Sequence, residues 1–201
     1  MKRIINMVMV ACIAFLSLSN CSKTSDYERG ILTETSFESK YLDIRFTLPE
    51  GFVMATEEDM LRMMGIGADI TKANKKIVEL TTVYEMMASA ATGYPNVIVM
   101  VEKAPFFNIT IEQFLDAFKQ NLLDVKTMDY VIDDQITSVE VAGYDYKQLT
   151  VSLPSLNLFQ NYIVRKKDNR MIAFITTYSL ETKQELEILM NGFSKLTQKN
   201  L

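Results

Sequence analysis

Residues 41–52, with the sequence YLDIRFTLPEGF, show the clearest two-residue period in the chain. The apolar positions of this period are Leu42, Ile44, Phe46 and Leu48. Because successive side chains of a strand point to opposite faces, the alternation predicts a half-buried strand with one apolar face. Pro49 ends this strand, since proline has no N–H to donate, and Gly51 permits the turn that follows. We expect the later strands and helices to supply the neighbours and the cover of this strand.

The length and composition are those of one well-buried domain. The chain has 201 residues, of which 48% are hydrophobic, and it contains no histidine. Without histidine, the commonest general base near neutral pH, the commonest metal ligand and the usual serine and cysteine triads are absent. We therefore expect a protein that is not an enzyme and has no metal or cofactor. A hydrolase that uses carboxylates, or serine with lysine, is the remaining catalytic alternative.

The first twenty residues have the layout of a secretory signal. Lys2 and Arg3 precede an apolar run at residues 4–18, which is too short to span a bilayer comfortably. Residues 18–21, LSNC, resemble the lipobox of bacterial lipoproteins, in which the cysteine thiol receives a diacylglycerol, although Asn20 stands where a smaller residue is usual. The alternative is ordinary cleavage after Ser19, which would leave Cys21 as a free thiol.

The lipobox interpretation defines the domain organisation and the compartment. Residues 1–20 are then a lipoprotein signal peptide, Cys21 is the lipidated residue, residues 21–36 are a polar tether, and residues 37–201 form a single domain. We expect a lipid-anchored protein of the cell envelope. Ser22 resembles the residue found after the cysteine of lipoproteins sent to the outer membrane, in cells with two membranes.

The charge of the mature chain argues against a nucleic-acid partner. Removal of residues 1–20 takes away two of the 21 basic residues and none of the 25 acidic residues, which leaves a net charge of −6. The expected partners are the membrane, through the lipid anchor, and an unidentified envelope protein or small molecule.

The rest of the chain alternates between helical and strand patterns. Three helices are predicted to begin at Thr56, Thr110 and Thr182. Each threonine is followed three residues later by Asp, Gln or Glu, a spacing typical of a capping box. Gly65 and Gly67 are expected to end the first helix. The last helix is predicted to reach Leu196. Strands are predicted at residues 77–88, 96–102, 128–132, 136–141, 144–153, 159–166 and 171–178. Because short turns join the later strands, we expect them to be antiparallel, with helices on both faces of the sheet.

This order of elements resembles the PsbP-like domain family, which includes many bacterial lipoproteins of undefined role. The resemblance runs from residue 41 to about residue 196 and is carried by residues 48–52 (LPEGF), the helix that begins at Thr110, the hairpin at residues 141–144 (VAGY) and the closing helix. It implies an α+β fold, an α/β/α sandwich around a mainly antiparallel sheet. It also implies a binding or assembly role without a shared catalytic set, so no functional residue is carried over.

Two segments are candidate binding sites. The first is a polar loop at residues 65–76, which is long and has glycines at its start; its candidate residues are Gly65, Gly67, Lys72, Lys75 and Lys76. The second is a contact patch for a partner, an acidic surface or lipid headgroups; its residues are Phe106, Phe107, Lys166, Lys167 and Arg170. The structural alternatives are a loop without function, aromatic side chains that cover a sheet edge, and a solvated turn.

One methionine cluster admits a metal interpretation. Met60 and Met64 share a helix face, and thioethers bind Cu(I), but adaptable core packing is the alternative that we favour. The sequence therefore supports three hypotheses of function. The first is a non-catalytic envelope lipoprotein that binds or scaffolds another envelope component. The second is a small-molecule receptor with a pocket under the 65–76 loop, and the third is the hydrolase described above.

Overall fold

The computed structural model describes residues 27–70, 81–104, 108–125 and 128–196, and of residues 66–70 it describes the backbone alone. The first half of this part contains β1 (Ile31–Leu32), β2 (Ser36–Ser39), β3 (Ile44–Thr47), β4 (Phe52–Met54), α1 (Glu57–Ile70), β5 (Thr82–Ala90) and β6 (Asn96–Lys103). The second half contains α2 (Ile111–Asp124), β7 (Val131–Ile132), β8 (Thr137–Val141), β9 (Tyr144–Leu153), a 3₁₀ turn (Pro154–Leu156), β10 (Leu158–Lys167), β11 (Arg170–Tyr178), α3 (Lys183–Met190) and β12 (Phe193–Lys195).

The strands form two antiparallel sheets. The large sheet has eight strands in the order β4-β5-β6-β11-β10-β9, and β9 pairs with both β7 and β8. The small sheet has the order β1-β2-β3-β12. Each strand pair is antiparallel, as the short predicted turns require. The predicted α+β fold with a mainly antiparallel sheet is confirmed.

Strand β6 lies in the middle of the large sheet, between β5 and β11. Every residue of β6 is buried except Lys103 at its end. This confirms the prediction from its sequence, NVIVMVEK, whose apolar residues lie on both faces.

The two faces of the large sheet have different covers. Helices α1 and α2 pack on one face, the helix-covered face, and bury a core rich in methionine: Met60, Met64, Met87, Met100, Met171, Phe114 and Phe118. The small sheet and α3 pack on the other face, the sheet-covered face, around a core rich in aromatic rings: Phe37, Tyr41, Phe46, Tyr146, Phe174 and Phe193. The predicted cover on both faces is therefore present, and a second sheet contributes to it.

Within the alternating stretch at residues 41–52, Ile44–Thr47 form strand β3 of the small sheet, and Phe52 begins strand β4 of the large sheet. Ile44 and Phe46 are buried while Arg45 and Thr47 are exposed, as the period predicts. The expectation that later strands supply its neighbours was right for β12, but the other neighbour of β3 is the earlier strand β2. The strand begins at Ile44, since the preceding turn places Asp43 at a φ of +56°, outside the strand region.

The prediction that Gly65 and Gly67 end the first helix was wrong, because α1 continues to Ile70. A glycine inside a helix costs about 1 kcal/mol but breaks no hydrogen bond of the helix. Burial of Met60 and Met64 against the sheet offsets part of that cost. At Gly65 an added Cβ would have no atom within 4 Å, so no close contact requires glycine there.

The last helix is shorter than predicted. Helix α3 ends at Met190, and Phe193–Lys195 form strand β12. Gly192 makes this change of direction possible, since a Cβ at that position would lie 2.6 Å from the carbonyl oxygen of Thr47. The Gly192 carbonyl then accepts the Thr47 N–H at 3.0 Å, which joins α3 to the small sheet.

The predicted capping boxes have different outcomes. Thr110 and Gln113 form both reciprocal hydrogen bonds at the start of α2. At the start of α1, the Thr56 hydroxyl accepts the Asp59 N–H at 3.1 Å and donates to the Asp59 carboxylate. Thr182 makes no such cap, because its hydroxyl accepts the N–H of Ser179 at 3.0 Å instead.

Candidate functional site

The N-terminal segment is held on the large sheet by a buried carboxylate. The Tyr27 hydroxyl donates a hydrogen bond to one oxygen of Glu85, and the Gly30 N–H donates to the other at 2.8 Å. The Glu85 residue is 1% exposed. We call Tyr27, Arg29, Gly30 and Glu85 the N-terminal latch. The prediction of a polar tether was therefore wrong for residues 27–36, which contact the domain and contain β1 and the start of β2.

A β-bulge in β5 places Glu85 in the latch. The register of β5 against β6 shifts between Tyr84 and Met86, so Glu85 is the extra residue. Tyr84 consequently lies in the helix-covered core and Met86 in the sheet-covered core, although residues two apart in a regular strand share a face. The bulge thus redirects one acidic side chain toward the N-terminal segment.

Contacts of Arg29, Gly30 and the neighbouring Arg170 further hold the latch in place. Arg29 donates to the Tyr84 carbonyl at 2.8 Å, and the Arg170 guanidinium lies 4.2 Å from the centre of the Tyr27 ring. At Gly30 an added Cβ would lie 2.3 Å from the ring of Phe37. Glycine is therefore required where the chain crosses this ring.

Burial determines the protonation behaviour of the latch. It raises the pKa of the Glu85 carboxyl above its ordinary value of 4.5, while hydrogen bonds from Tyr27 and Gly30 and the charges of Arg29 and Arg170 oppose this rise. Burial, and then the hydrogen bond to Glu85, raises the pKa of the Tyr27 hydroxyl. Tyr27 therefore keeps its proton and acts as a donor to the carboxylate.

An open groove lies directly after the latch along the chain. Its volume is about 470 Å³, and it is lined by Arg29, Gly30, Leu32, Thr33, Glu34, Met54, Ala55, Thr56 and Glu57. One wall is the N-terminal segment with β1, and the other is β4 with the start of α1. Apolar side chains from both walls, Leu32 and Met54, contribute to the lining, and Glu34 and Glu57 are exposed charged residues of it.

The groove lies between two sheet edges. In the described part of the chain, β1 is the last strand of the small sheet and β4 is the last strand of the large sheet. The side chains of Ile31 on β1 and Val53 on β4 are 71% and 51% exposed. Edge strands with exposed apolar side chains are sites where another extended segment can pair.

The basic part of the predicted contact patch is engaged within the domain. Lys166 donates to the Ile109 carbonyl at 2.9 Å, and Lys167 donates to the Tyr41 carbonyl. Arg170 stacks on Tyr27. Of the three side chains, that of Arg170 contacts the N-terminal segment, and all three charges lie at one end of the large sheet.

Several predicted residues lie outside the described residues. They are Cys21, Lys72, Lys75, Lys76, Phe106 and Phe107. Gly65 and Gly67 lie in the second half of α1, whereas the groove is at the start of that helix. The groove and the two glycines therefore lie in opposite halves of α1, and residues 65–70 of the predicted loop are helical.

The methionine residues do not gather at one place. Met60, Met64 and Met87 lie in the helix-covered core, but Met86 lies in the core on the other side of the sheet. Within the ranges that the structure describes, no group of three or more Cys, Asp or Glu side chains is placed to hold a metal ion. Among those same ranges, no helix has the length and apolarity needed to cross a membrane.

A serine and a lysine do meet, but away from the groove. The Lys147 ammonium donates to the Ser138 hydroxyl at 3.2 Å, across strands β8 and β9. Ser138 is exposed, and neither residue lines the groove. Asp133 and Asp134 lie in a solvated turn, in which Asp133 accepts the Gln135 N–H at 3.0 Å.

The sequence prediction missed Glu85, Tyr27 and the groove. One signal for Glu85 was present, because β5 (TVYEMMASA) has a charged residue inside an apolar strand. A buried carboxylate needs hydrogen-bond donors, and these come from residues 55 to 58 positions earlier in the chain. No local pattern identifies such distant partners.

Comparisons with known proteins give a likeness of fold. No family model and no curated protein match this sequence. The solution structure of cyanobacterial PsbP (CyanoP) from Synechocystis sp. PCC 6803 is similar to this chain, with 12% sequence identity and a TM-score of 0.48, over 89% of this chain and 98% of that chain. That protein bears the name of the family that the sequence resembles.

Proposed function

We propose that this protein is a non-catalytic lipoprotein of the cell envelope, anchored through Cys21, whose domain binds an extended segment of another envelope protein. The observation that carries the proposal is the groove of about 470 Å³ between the edge strands β1 and β4. The lipobox-like residues 18–21 support the anchor, and Ser22 supports the outer membrane as its location in a cell with two membranes.

Strand addition explains how the groove would recognise a partner. An extended segment can donate and accept backbone hydrogen bonds at a sheet edge, while every second side chain enters the groove. Leu32 and Met54 offer apolar contacts for those side chains, and Arg29 and Glu34 offer charges at the rim. Ile31 and Val53 add exposed apolar surface beside the two edges.

The latch supports a partner that is itself in the envelope. The groove wall begins at Arg29, two residues after Tyr27, so the groove lies close to the first described residue, which is six residues after Cys21 in the sequence. An anchor at Cys21 would therefore hold the groove near the membrane.

The groove residues favour binding over catalysis. Glu34 and Glu57 are carboxylates, but both are exposed, and Glu57 forms a salt bridge with Arg29. Catalytic groups act most strongly in sites that exclude water, which this open groove does not.

Site-specific photocrosslinking in cells tests the proposal. A photoreactive amino acid at Thr33, which lines the groove, should capture an envelope protein, and a peptide of the captured segment should then bind the purified domain. The same probe at Ile188, which is 53% exposed on α3, is the matched control. Val53→Lys should weaken both capture and peptide binding. Equal capture from positions 33 and 188 would contradict the proposal.

A small-molecule receptor is the second candidate. The groove volume of about 470 Å³ falls within the range of small-ligand pockets, roughly 300–1,000 Å³. A metabolite that raises the melting temperature of the wild type but not of a Met54→Lys variant would favour this candidate. A panel without any thermal shift would count against it.

A further inference from the structure

We infer that the end of the large sheet beside Tyr27 is the membrane-facing surface of the domain and binds anionic phospholipid headgroups. The inference deepens the proposed function and rests on its anchor at Cys21. We call the surface formed by Lys40, Lys103, Lys167 and Arg170 around Tyr27 the basic corner.

The contacts of Tyr27 define the basic corner. Arg170 stacks on the Tyr27 ring, and Tyr41 packs edge-on against it with 5.0 Å between the ring centres. Lys167 lies 4.9 Å from the centre of the Tyr41 ring. Lys103 is the cross-strand partner of Arg170, and Lys40 directly precedes Tyr41. Several cationic side chains thus surround the point where the described chain begins.

The length of the chain between the anchor and Tyr27 holds this corner at the bilayer. The six residues from Cys21 to Tyr27 extend at most about 20 Å. A domain of this size is roughly 40 Å across, so its far side cannot approach the bilayer while the latch is closed. The corner is therefore the part of the domain that stays near the headgroups.

The charges of the corner differ from those of the whole protein. The mature chain has a net charge of −6, which an anionic membrane repels. At the corner, the exposed residues Lys40 and Lys103 add to Lys167 and Arg170, and the exposed acidic residues beside them are Glu28 and Asp168. Glu85 is also close, but it is buried beneath Tyr27. This local excess of positive charge would attract anionic headgroups that come within a Debye length of about 8 Å.

Two of these cations are placed to reach headgroups directly. Lys40 lies in an exposed turn, and Lys103 is the exposed end residue of β6. Lys167 and Arg170 are partly buried and contact Tyr41 and Tyr27, respectively. They therefore hold the corner together as well as contributing positive charge to it. We therefore expect charge reversal at Lys40 or Lys103 to weaken binding without disturbing the core.

Vesicle flotation with the unacylated mature chain, residues 22–201, tests the surface apart from the anchor. This chain retains every residue of both cores. The wild type should bind vesicles that contain phosphatidylglycerol, bind neutral phosphatidylcholine vesicles far less, and dissociate as the salt concentration rises. Lys103→Glu and Lys40→Glu should each weaken binding about tenfold or more, since each charge near the surface contributes.

Lys183→Glu is the matched control, because Lys183 is an exposed lysine at the start of α3, outside the corner. This substitution changes the net charge by the same amount as Lys40→Glu or Lys103→Glu, but it should leave vesicle binding within about twofold of the wild type. Equal binding to both vesicle types, equal losses in all three variants, or no binding by the wild type would overturn the inference. Mass spectrometry of the acyl group on Cys21, and crosslinking from position 33, report on the proposed function separately, since neither uses vesicles.

Discussion

The two faces of the large sheet show two ways to fill a core. On the helix-covered face, methionines such as Met60, Met100 and Met171 fill the space beneath the helices, beside the edge-to-face pair of Phe118 and Tyr162. On the sheet-covered face, aromatic rings join one sheet to the other, with Phe174 and Phe193 packed edge to face at 4.9 Å between ring centres. Methionine side chains adapt to irregular gaps, whereas aromatic pairs prefer particular angles and distances.

This difference indicates that side-chain positions are more tightly constrained on the sheet-covered face than on the helix-covered face. The rings of the sheet-covered face fix the position of the small sheet, and Tyr27 extends the same contacts to the N-terminal latch through Tyr41. The groove and the basic corner are both built on that latch. We therefore expect substitutions on the sheet-covered face to disturb the candidate functional surfaces, and substitutions on the helix-covered face to affect mainly overall stability.

The largest expected effect is that of Phe174→Ala. Phe174 is fully buried and contacts the rings of Tyr146 and Phe193. Its removal should lower the free energy of unfolding by about 3–5 kcal/mol, as large cavities do. Denaturant unfolding measures this loss. A loss below about 1 kcal/mol would show that the aromatic contacts do not join the two sheets.

Tyr27→Phe tests the latch with the loss of one oxygen atom. The variant removes the donor to a buried carboxylate, and we expect a loss of about 1.5–3 kcal/mol in the free energy of unfolding. Protease cleavage between residues 27 and 36 should also become faster than in the wild type. Tyr94→Phe, in the β5–β6 hairpin, is the matched control and should change neither quantity.

Glu85→Gln tests the pH dependence of the latch. Because the pKa of Glu85 is higher in the folded chain than its ordinary value of 4.5, the folded protein binds more protons between these two values. The contribution of Glu85 to stability is therefore greatest below pH 4.5 and is lost as pH rises through the folded pKa.

Unfolding of both proteins between pH 4 and pH 8 measures this contribution. The free energy of unfolding of the wild type, relative to that of Glu85→Gln, should decrease as pH rises above about 4.5. Parallel curves for the two proteins across this window would contradict the assignment of a raised pKa to Glu85.

Local patterns predicted most of the large sheet. The hairpins around Gly143 and Asp168 lie where turn residues separate alternating or apolar segments, and β9 has the predicted bounds. Such features depend on residues that are close in sequence, so a pattern can identify them. The helix at Thr110 was predicted for the same reason, since its capping box joins residues three apart.

Long-range contacts explain the predictions that were wrong. Phe193 fits a helical period, but it pairs with Phe46 in the small sheet, more than a hundred residues earlier. The polar residues after Cys21 are typical of a tether, but Tyr27 meets Glu85 because of a bulge that no local signal specifies. The candidate site combines these contacts, which is why the sequence did not indicate its residues.

Thr110→Ala tests the helix-covered face at a polar position. The Thr110 hydroxyl accepts the Gln113 N–H at 3.2 Å, and its N–H donates to the Gln113 side chain at 3.0 Å. We expect a loss of about 1 kcal/mol in the free energy of unfolding, typical of an N-cap. Thr110→Ser keeps the hydroxyl and should retain most of the stability. A Ser variant as unstable as the Ala variant would assign the effect to the lost methyl group.

The smallest expected effect is that of Met100→Leu, which preserves volume on the helix-covered face. Met100 is 2% exposed among side chains that adapt to one another, so the loss should stay below about 1 kcal/mol. Phe174→Leu on the sheet-covered face should cost more, because it removes both part of the side-chain volume and the edge-to-face contacts with Tyr146 and Phe193. Unfolding in denaturant compares the two variants, and crosslinking from Thr33 shows whether the groove is preserved. If Met100→Leu proves the more harmful variant, the helix-covered face is the more strictly packed of the two.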